Sequence, residues 1–518
     1  MRARSGIARA AALVTGLTAL SALLGFLRDV VIAGVFGAGS ELDAYFVAQG
    51  LMNLVLGLVA GAMAKATVPV VAAQDSEGAS YRVGRTLSVA MSVTLLVLGV
   101  GSLVMGLAAS SVVGVLAPGF EGPQAGLATS LTRIMLVATV LIAGTNLLAA
   151  AAQAHRRFFW AGVQGVPFNL IMIVSAVVLG PRFGVTAIAF GYVVGSAARL
   201  ACQLVPLSGL RLHLRIRFDV NDPGFLTIVR LVPPLLLGSA LGNVNTLVDR
   251  AVGSTIDDGT VSALAYAWRL IGMGETLLIA SLLTALYPAF AAAAGSQDRR
   301  ELQRLVGRGI ATAATVLFPI CAVLLVCGGA VVGLVYEHGS FGESDTRRTA
   351  TAVLWYAPAL LALGWREVAV YASYALGDSR RPVLVALVAM AVNVAGDLTF
   401  GVAFGIPGLA ASTTLSVVFA AAANIWLLGR QHRAVVLRSV PRVVGRTAVA
   451  AAAAAAIGVL VLRLLSPHLG AGVAGDLETV ATGGLAVLAV FVAVLYVLRA
   501  PERELLNEAL QLVRLRGR

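Results

Sequence analysis

Charged residues inside otherwise apolar segments are the first side chains in this sequence that could do chemistry. Arg28 and Asp29 are adjacent and follow the apolar run Leu23-Leu24-Gly25-Phe26-Leu27, and Arg269 stands in a later apolar segment. A charge within a membrane span costs about 2.5–3.5 kcal/mol on insertion scales, so each such residue is a candidate for function. The structural alternative is a side chain that reaches the interface or pairs with a neighbouring helix.

A second group of candidates carries oxygen atoms. Asn393 and Asp397 are four residues apart, so a helix places both on one face. Asp249, Thr413 and the backbone carbonyl of Leu409 can join them if the C-terminal half folds compactly. Carboxylate, amide, hydroxyl and carbonyl oxygens suit a hard cation. The alternative is a hydrogen-bonded contact between helices.

The composition indicates what must position these residues. The chain is 59% hydrophobic and 12% charged, whereas an average soluble domain is about 25% charged. Apolar runs of about 20 residues, enough to cross a bilayer, recur throughout. We therefore predict an all-α polytopic membrane protein with fourteen transmembrane helices. The predicted spans are 7–36, 43–73, 85–116, 125–154, 158–180, 184–206, 224–252, 261–294, 304–335, 348–376, 382–403, 407–429, 443–465 and 476–499.

The arginines of the predicted loops indicate the orientation. One alternate set of loops, including both termini, contains 26 arginines, and the other set contains only Arg182, Arg347 and Arg348. Because positively charged loops stay cytoplasmic, both termini are predicted to lie inside. The net charge of +13 then faces the anionic inner leaflet, so we expect no nucleic-acid partner.

No enzyme motif is visible. The five histidines are scattered, and HExxH, GxSxG and GxxxxGK[ST] patterns are absent from the sequence. We predict a transporter that is not an enzyme. Without a nucleotide site, transport would draw on an ion gradient, the membrane potential or a downhill substrate gradient.

A weak internal repeat suggests the domain organisation. His155-Arg156-Arg157 and Asp378-Ser379-Arg380-Arg381-Pro382 each precede a span containing an asparagine, and a glycine opens the following span. Repeated halves are usual in transporters. We predict a six-helix lobe over 1–217, a second over 218–435, two further helices over 436–500 and a basic cytoplasmic tail over 501–518.

At this point the ordered motifs resemble the MurJ/MviN family of lipid II flippases, in the MOP superfamily. The resemblance covers roughly residues 10 to 430. Its motifs are Leu24-Gly25-Phe26-Leu27-Arg28-Asp29, Phe36-Gly37-Ala38-Gly39, Asp43-Ala44-Tyr45-Phe46-Val47-Ala48, Ala117-Pro118-Gly119-Phe120, Asn245-Thr246-Leu247-Val248-Asp249-Arg250, Ala265-Tyr266-Ala267-Trp268-Arg269-Leu270, His338-Gly339-Ser340-Phe341 and Tyr374-Ala375-Leu376-Gly377-Asp378.

The resemblance implies a V-shaped pair of lobes around a cationic cavity that works by alternating access in the bacterial cytoplasmic membrane. It also implies that Arg28, Asp29 and Arg269 are central to function. Arginine's planar fork holds the oxygens of a diphosphate well, and Asp29 would orient Arg28. The remaining residues that we assign to substrate binding are Asp43, Asn53 and Lys65.

The resemblance further implies a sodium site, because some members bind sodium at matching positions. The ligands would be Asp249, Asn393, Asp397, Leu409 and Thr413. Sodium is expected as a possible coupling ion, and no other cofactor is expected. The two helices of 436–500 are expected to form a groove for the undecaprenyl tail.

The sequence also departs from the family pattern. Ala22 and the pair Leu56-Gly57 stand where many members carry basic residues, and Lys65 could restore part of that charge. The cargo could therefore be lipid II or another polyprenyl-diphosphate-linked glycan. A polysaccharide-lipid flippase, a cation-coupled multidrug antiporter and a membrane scaffold stay open as alternatives. Membrane lipids and cell-wall synthesis enzymes are the other expected partners.

Overall fold

The structure, a computed structural model, describes residues 2–76, 80–155, 157–208, 214–296, 299–470, 472–505 and 507. Within these ranges the chain is almost entirely helical and contains no β-strand. Most of the predicted tail, 501–518, and Arg156 and Arg211 of the predicted basic loops lie outside the described residues.

Thirteen helices of the described chain are long and apolar enough to cross a membrane. They match thirteen of the fourteen predicted spans. The other, 224–252, lies within the continuous helix Pro223–Ser254, whose apolar stretch among the described residues is Pro223–Pro233. The all-α polytopic fold is therefore confirmed, with a helix at every predicted span.

The chain forms two compact units. Unit 1 comprises Met1–Ser262 and His338–Phe341, and unit 2 comprises Ala263–Glu337 and Gly342–Arg518. Whether the predicted lobes 1–217 and 218–435 are related halves stays a prediction.

The helices of unit 1 alternate long spans with shorter pieces. They are α1 (Arg2–Phe36), α2 (Ser40–Ser76), α3 (Ser80–Leu107), α4 (Ala109–Leu116), α5 (Gly122–Ala154), α6 (Phe158–Val163), α7 (Gly165–Val174), α8 (Gly180–Phe183), α9 (Val185–Leu204) and α10 (Pro223–Ser254). The main packing partners are α2 with α5 and α10, and α5 with α9.

The helices of unit 2 are mostly long. They are α11 (Thr260–Gly274, whose first three residues belong to unit 1), α12 (Ala280–Gly295), α13 (Arg299–Tyr336), α14 (Glu343–Ala375), α15 (Arg380–Gly396), α16 (Val402–Phe404), α17 (Ile406–Gln431), α18 (Val440–Leu465) and α19 (Gly472–Val497). Here α14 packs on α13 and α17, and α18 packs on α19 and α13.

Small residues allow α13, α18 and α19 to pack closely. A Cβ added to Gly458 would lie 2.7 Å from Val487, and one added to Gly483 would lie 2.6 Å from Cys327. Alanines of α18 form a core with Phe491 of α19. Small residues at helix contacts are what packing within a bilayer requires, because apolar lipid provides little hydrophobic drive between helices.

Three helices contain a π-helical segment: Ser175–Leu179, Glu275–Ile279 and Asp397–Gly401. Two of the segments begin at an acidic residue, Glu275 and Asp397. A π-helical turn interrupts the regular i to i−4 hydrogen bonding and is frequently found at functional sites. These two acids therefore stand at local irregularities of their spans.

The described residues just before α10, 214–222, are non-helical, and two of their backbone N–H groups bond to α3. The N–H groups of Arg215 and Arg217 donate to Ser88 Oγ (3.1 Å) and Ser92 Oγ (2.9 Å). Ser88 and Ser92 are four residues apart on a helix, a rise of about 6 Å, and Arg215 and Arg217 are two residues apart, at most about 6.6 Å when extended. The spacing of the two hydroxyls therefore matches the spacing of the two N–H groups. We call residues 214–222 the strap.

Asp222 ends the strap and begins α10. Its Oδ1 accepts hydrogen bonds from Thr86 Oγ1 (2.8 Å) on α3 and from the N–H of Phe225 (2.9 Å) in the first turn of α10. One buried carboxylate therefore caps α10 and joins it to α3. This contact adds to the packing of α10 on α2 within unit 1.

Candidate functional site

Arg28 in α1 is held by two neighbours within unit 1. Its Nε and Nη2 both donate to Asp29 Oδ1, at 3.0 and 2.7 Å. Its Nη1 donates to Asn169 Oδ1 of α7 at 3.0 Å, and Asn169 Nδ2 donates to the carbonyl of Ser21 at 3.2 Å. Both members of the Arg28–Asp29 pair are largely buried. The guanidinium is therefore oriented before any substrate arrives, which lowers the entropy cost of binding an anion.

Asp43 occupies a different position. It is buried in α2, and its two carboxylate oxygens accept hydrogen bonds from the N–H groups of Gly259 and Ser262, both at 2.7 Å. These groups belong to the first turn of α11, where unpaired N–H groups favour a negative charge. In this conformation Asp43 is a helix cap, and its assignment to substrate binding stays a prediction.

A second hydrogen bond within unit 1 joins residues far apart in the sequence. The N–H of Ser340 donates to the carbonyl of Gly34 in α1 at 2.8 Å. Gly339, just before it, has φ of +61°, and a side chain there would collide with that carbonyl. Only glycine fits, which gives a physical reason for the His338-Gly339-Ser340-Phe341 motif.

The other predicted substrate-binding residues are spread over both units. Lys65 is exposed on α2, and Asn53 is half-buried on the same helix. Arg269 is exposed on the part of α11 that belongs to unit 2. Within unit 1, neither Lys65 nor Asn53 shares a hydrogen bond with the Arg28 cluster.

Four of the five predicted sodium ligands form one hydrogen-bonded chain in unit 2. Asn393 Nδ2 donates to Asp397 Oδ2 at 2.7 Å, and both side chains are wholly buried. The carbonyl of Leu409 accepts from Thr413 Oγ1 at 3.2 Å and from Ser412 Oγ at 2.9 Å. Ser412 Oγ also donates to Asp397 Oδ1. This hydrogen bond connects the Asn393–Asp397 pair with the Leu409–Thr413 pair.

The sequence did not predict Ser412 as a sodium ligand. Its signal in the sequence is weak, because a serine beside Thr413 is unremarkable until α17 packs on the π-helical segment. A Cβ on Gly396 would lie 2.6 Å from the Cβ of Ser412, so glycine permits that close approach. The fifth predicted ligand, Asp249, is half-buried on α10 and belongs to unit 1.

The donor set of unit 2 suits a hard cation, and sodium as that cation stays a prediction. It offers a buried carboxylate, two hydroxyls, a side-chain amide and a backbone carbonyl, all of them hard oxygen donors. The described residues contain no cluster of three or more histidine, cysteine, aspartate or glutamate side chains. A transition-metal centre of that composition is therefore absent from the described part of the chain.

An ion-pair network in unit 2 and a single arginine in unit 1 also place charges inside spans. In unit 2, Arg366 Nη2 lies 2.8 Å from Glu367 Oε1 and 3.8 Å from Glu275 Oε1, so an ion-pair network joins α14 to a π-helical segment. In unit 1, Arg199 of α9 lies over the ring of Phe168. The sequence prediction missed Arg199, although an arginine inside an apolar helix was the signal that identified the other candidates.

Comparison with known proteins decides the family. A family model described as "Lipid II flippase MurJ" matches residues 32–474, which is most of the chain. The chain belongs to this family. A protein of Burkholderia cenocepacia named "Lipid II flippase MurJ" is 28% identical over 81% of this chain and 82% of its own length. A Synechocystis protein named "Probable lipid II flippase MurJ" is 27% identical over 97% of both chains.

Solved structures agree on the fold. The structure titled "Lipid II flippase MurJ, inward closed conformation" matches with a TM-score of 0.77 and 21% identity over 94% of this chain and 99% of that one. An inward-facing multidrug resistance MATE transporter of the MOP superfamily matches with a TM-score of 0.67 and 18% identity, over 81% of this chain and 96% of that one. The predicted family is confirmed, the solved structures share its fold, and membership of a flippase family confirms that the chain is not an enzyme.

Proposed function

We propose that this chain moves lipid II, or a closely related undecaprenyl-diphosphate-linked precursor, from the inner to the outer leaflet of the bacterial cytoplasmic membrane. Family membership supports the cargo class. The observation that carries the proposal is the Arg28 cluster: a guanidinium held by Asp29 and Asn169 inside an apolar helical unit. Such a group is suited to a diphosphate in a low-dielectric environment.

Each residue of the cluster has a separate task. Arg28 donates to the phosphate oxygens of the cargo, Asp29 orients the guanidinium, and Asn169 fixes it from a second helix. Because the Arg28 charge is already offset by Asp29, the empty site is not purely cationic. Arg269 is proposed to contact the same class of anion from unit 2.

Alternating access would need contacts that can open. The candidates are the Asp43 cap on the first turn of α11 and the Ser340 bond to Gly34. Both consist of a few hydrogen bonds at the residues where the chain passes from one unit to the other. We propose that they form in one conformation and break in the other, and that Asp43 becomes available to cargo only when its cap opens.

Complementation tests the cargo directly. Arg28→Lys keeps the charge but removes the planar fork, so we expect it to fail, as Arg28→Ala and Arg269→Ala should, in cells depleted of their own lipid II flippase. The matched control is Arg304→Ala, because Arg304 is exposed and pairs only with Glu301 one turn away. If both alanine variants support growth at wild-type protein levels, the diphosphate proposal is wrong.

The driving force is proposed to be the membrane potential or a sodium gradient. The oxygen donors around Asp397 support sodium, and the residues that would hold the ion are Asn393, Asp397, Leu409 and Thr413, with Ser412 as an addition. A bound cation would supply a positive charge beside the buried Asp397 carboxylate. Asp249 is proposed as a further ligand.

Transport of labelled lipid II in proteoliposomes tests the ion. We expect Asp397→Asn to abolish stimulation by an imposed sodium gradient, while Asp257→Asn, an exposed loop variant, leaves it intact. An Asp397→Asn protein that responds to sodium as the parent does would remove the basis for a sodium site. Transport driven by potential alone would then remain.

A further inference from the structure

Arg199 is a cation with no counter-charge in the described chain. It lies on α9, and its Nε is buried without a hydrogen-bond partner. Its guanidinium carbon lies 5.4 Å from the centroid of the Phe168 ring. Burying an unpaired charge in an apolar helical unit costs free energy. Such a residue is therefore a candidate for binding an anion that offsets the cost.

Arg199 shares Phe168 with Arg28. The Arg28 guanidinium carbon lies 5.7 Å from the same ring centroid, and Asn169, the next residue after Phe168, accepts a hydrogen bond from Arg28. Two guanidinium groups therefore meet at one ring, with Asp29 as the acid paired to Arg28. Like charges repel strongly where the dielectric constant is low, so this arrangement favours an added anion.

The two arginines differ in their free donors. A guanidinium has five N–H groups. Arg28 uses its Nε, Nη1 and Nη2 on Asp29 and Asn169. Arg199 donates to no residue of the described chain, and its contact there is the aromatic face of Phe168. Arg199 therefore has more N–H groups available to an incoming anion than Arg28 has.

We propose that Arg199 is an additional phosphate-binding residue, and that Arg28 and Arg199 together form a two-arginine site around Phe168 for the diphosphate of the lipid-linked cargo. The inference rests on the proposed function, which supplies the diphosphate. Two guanidinium groups that contact the same ring suit two linked phosphates better than one, because each phosphate can then receive its own guanidinium. The site should therefore distinguish a diphosphate from a monophosphate.

Binding to the purified full-length protein in nanodiscs of neutral lipid tests this site. The probes are geranylgeranyl diphosphate and geranylgeranyl monophosphate. Their tails are identical, so any difference between their affinities comes from the number of phosphates. We expect Arg199→Gln to weaken diphosphate binding about tenfold or more and to change monophosphate binding less than about threefold. Arg199→Lys should recover part of the loss. The control is Arg182→Gln, which removes one exposed arginine of unit 1.

Thermal unfolding without ligand separates binding from a structural role. If Arg199 is kept for the anion, Arg199→Met should leave Tm unchanged or raise it, since it removes an unpaired buried charge. A Tm several degrees lower, with the diphosphate preference of the parent retained, would make Arg199 a structural cation–π residue and overturn the inference.

The outcomes also separate this inference from the proposed function. If Arg28→Lys loses diphosphate binding and Arg199→Gln binds like the parent, the flippase proposal stands and the two-arginine site does not. If the parent itself shows no preference for the diphosphate, both are wrong.

Discussion

Two arginine side chains inside this protein, Arg28 and Arg366, are oriented by the acid next to them in the chain. Arg28 places two nitrogens on Asp29, and Arg366 does the same with Glu367, at 3.1 and 2.8 Å. Neighbouring residues of a helix point in different directions, so each guanidinium must turn back along the helix surface to reach its partner. What differs is the third contact, which is Asn169 for Arg28 and Glu275 for Arg366.

The contact between Asn169 and Arg28 predicts the effect of a single substitution. Asn169→Leu preserves side-chain size but removes the acceptor for Arg28 Nη1. Because a hydrogen bond to a charged group contributes about 1.5–3 kcal/mol, we expect transport in proteoliposomes to fall about tenfold or more. Asn424→Leu is the control, since the Asn424 side chain bonds only within its own helix. Equal transport by both variants would contradict this orienting role.

Asp378 gives a pH dependence outside the membrane spans. Burial alone would raise the pKa of Asp378, but His432, the backbone N–H of Arg381 and the Arg381 guanidinium hold that pKa below its ordinary value of 3.8. A carboxylate with a lowered pKa stabilises the fold above its ordinary pKa, and this contribution is lost as the pH falls through the folded-state value.

We therefore expect Asp378→Asn to lower the Tm at neutral pH. The difference in Tm from the parent should shrink as the pH falls below 3.8. Thermal unfolding of both proteins across this range measures the effect. A difference that is the same at every pH would mean that the ionised carboxylate contributes nothing.

At the scale of elements, short irregular segments add polar contacts to the packing between long helices. The strap fastens α10 to unit 1 by pairing alternate backbone N–H groups with serines one helical turn apart on α3. The π-helical segment at Asp397 has a comparable effect in unit 2, because it brings a buried carboxylate against the first turns of α17. Neither contact follows from helix propensity.

The strap contains its own protease sites, which makes it testable. In the double variant Ser88→Ala and Ser92→Ala, two backbone N–H groups lose their acceptors, at about 0.5–1.5 kcal/mol each. We expect trypsin to cut after Arg215 and Arg217 several times faster in membranes that expose this loop. Ser208→Ala is the matched control, because Ser208 bonds only to the carbonyl of Val205. Unchanged cleavage would mean that the serines do not hold the strap.

At the scale of the whole molecule, the loop charges predict which side of the membrane each helix end faces. Arg300 and Glu343 are exposed residues just inside the start of α13 and at the start of α14. A single crossing by α13 places them on opposite sides of the bilayer.

Cysteine labelling of intact cells measures that orientation. Arg300→Cys and Glu343→Cys are introduced separately into a chain whose Cys202, Cys321 and Cys327 are replaced by alanine. A membrane-impermeant maleimide should label the Glu343→Cys protein from outside, and the Arg300→Cys protein only after the cells are opened. The reverse pattern would invert the predicted orientation and, with it, the proposed direction of transport.

The sequence alone was sufficient for the spans and for the placement of residues on one helix, while the orientation that it predicts awaits the labelling experiment. Apolar runs mark the spans, loop arginines predict their orientation, and the spacing of Asn393 and Asp397 places both on one helix face, because helix geometry is the same wherever a helix forms. The tertiary structure decided which residues meet across helices. Asn169 reaches Arg28 from 141 residues away, Ser412 joins Asp397, and Arg199 shares a ring with Arg28. These contacts depend on how each helix is rotated and crosses its neighbours, and side-chain packing among many residues determines both.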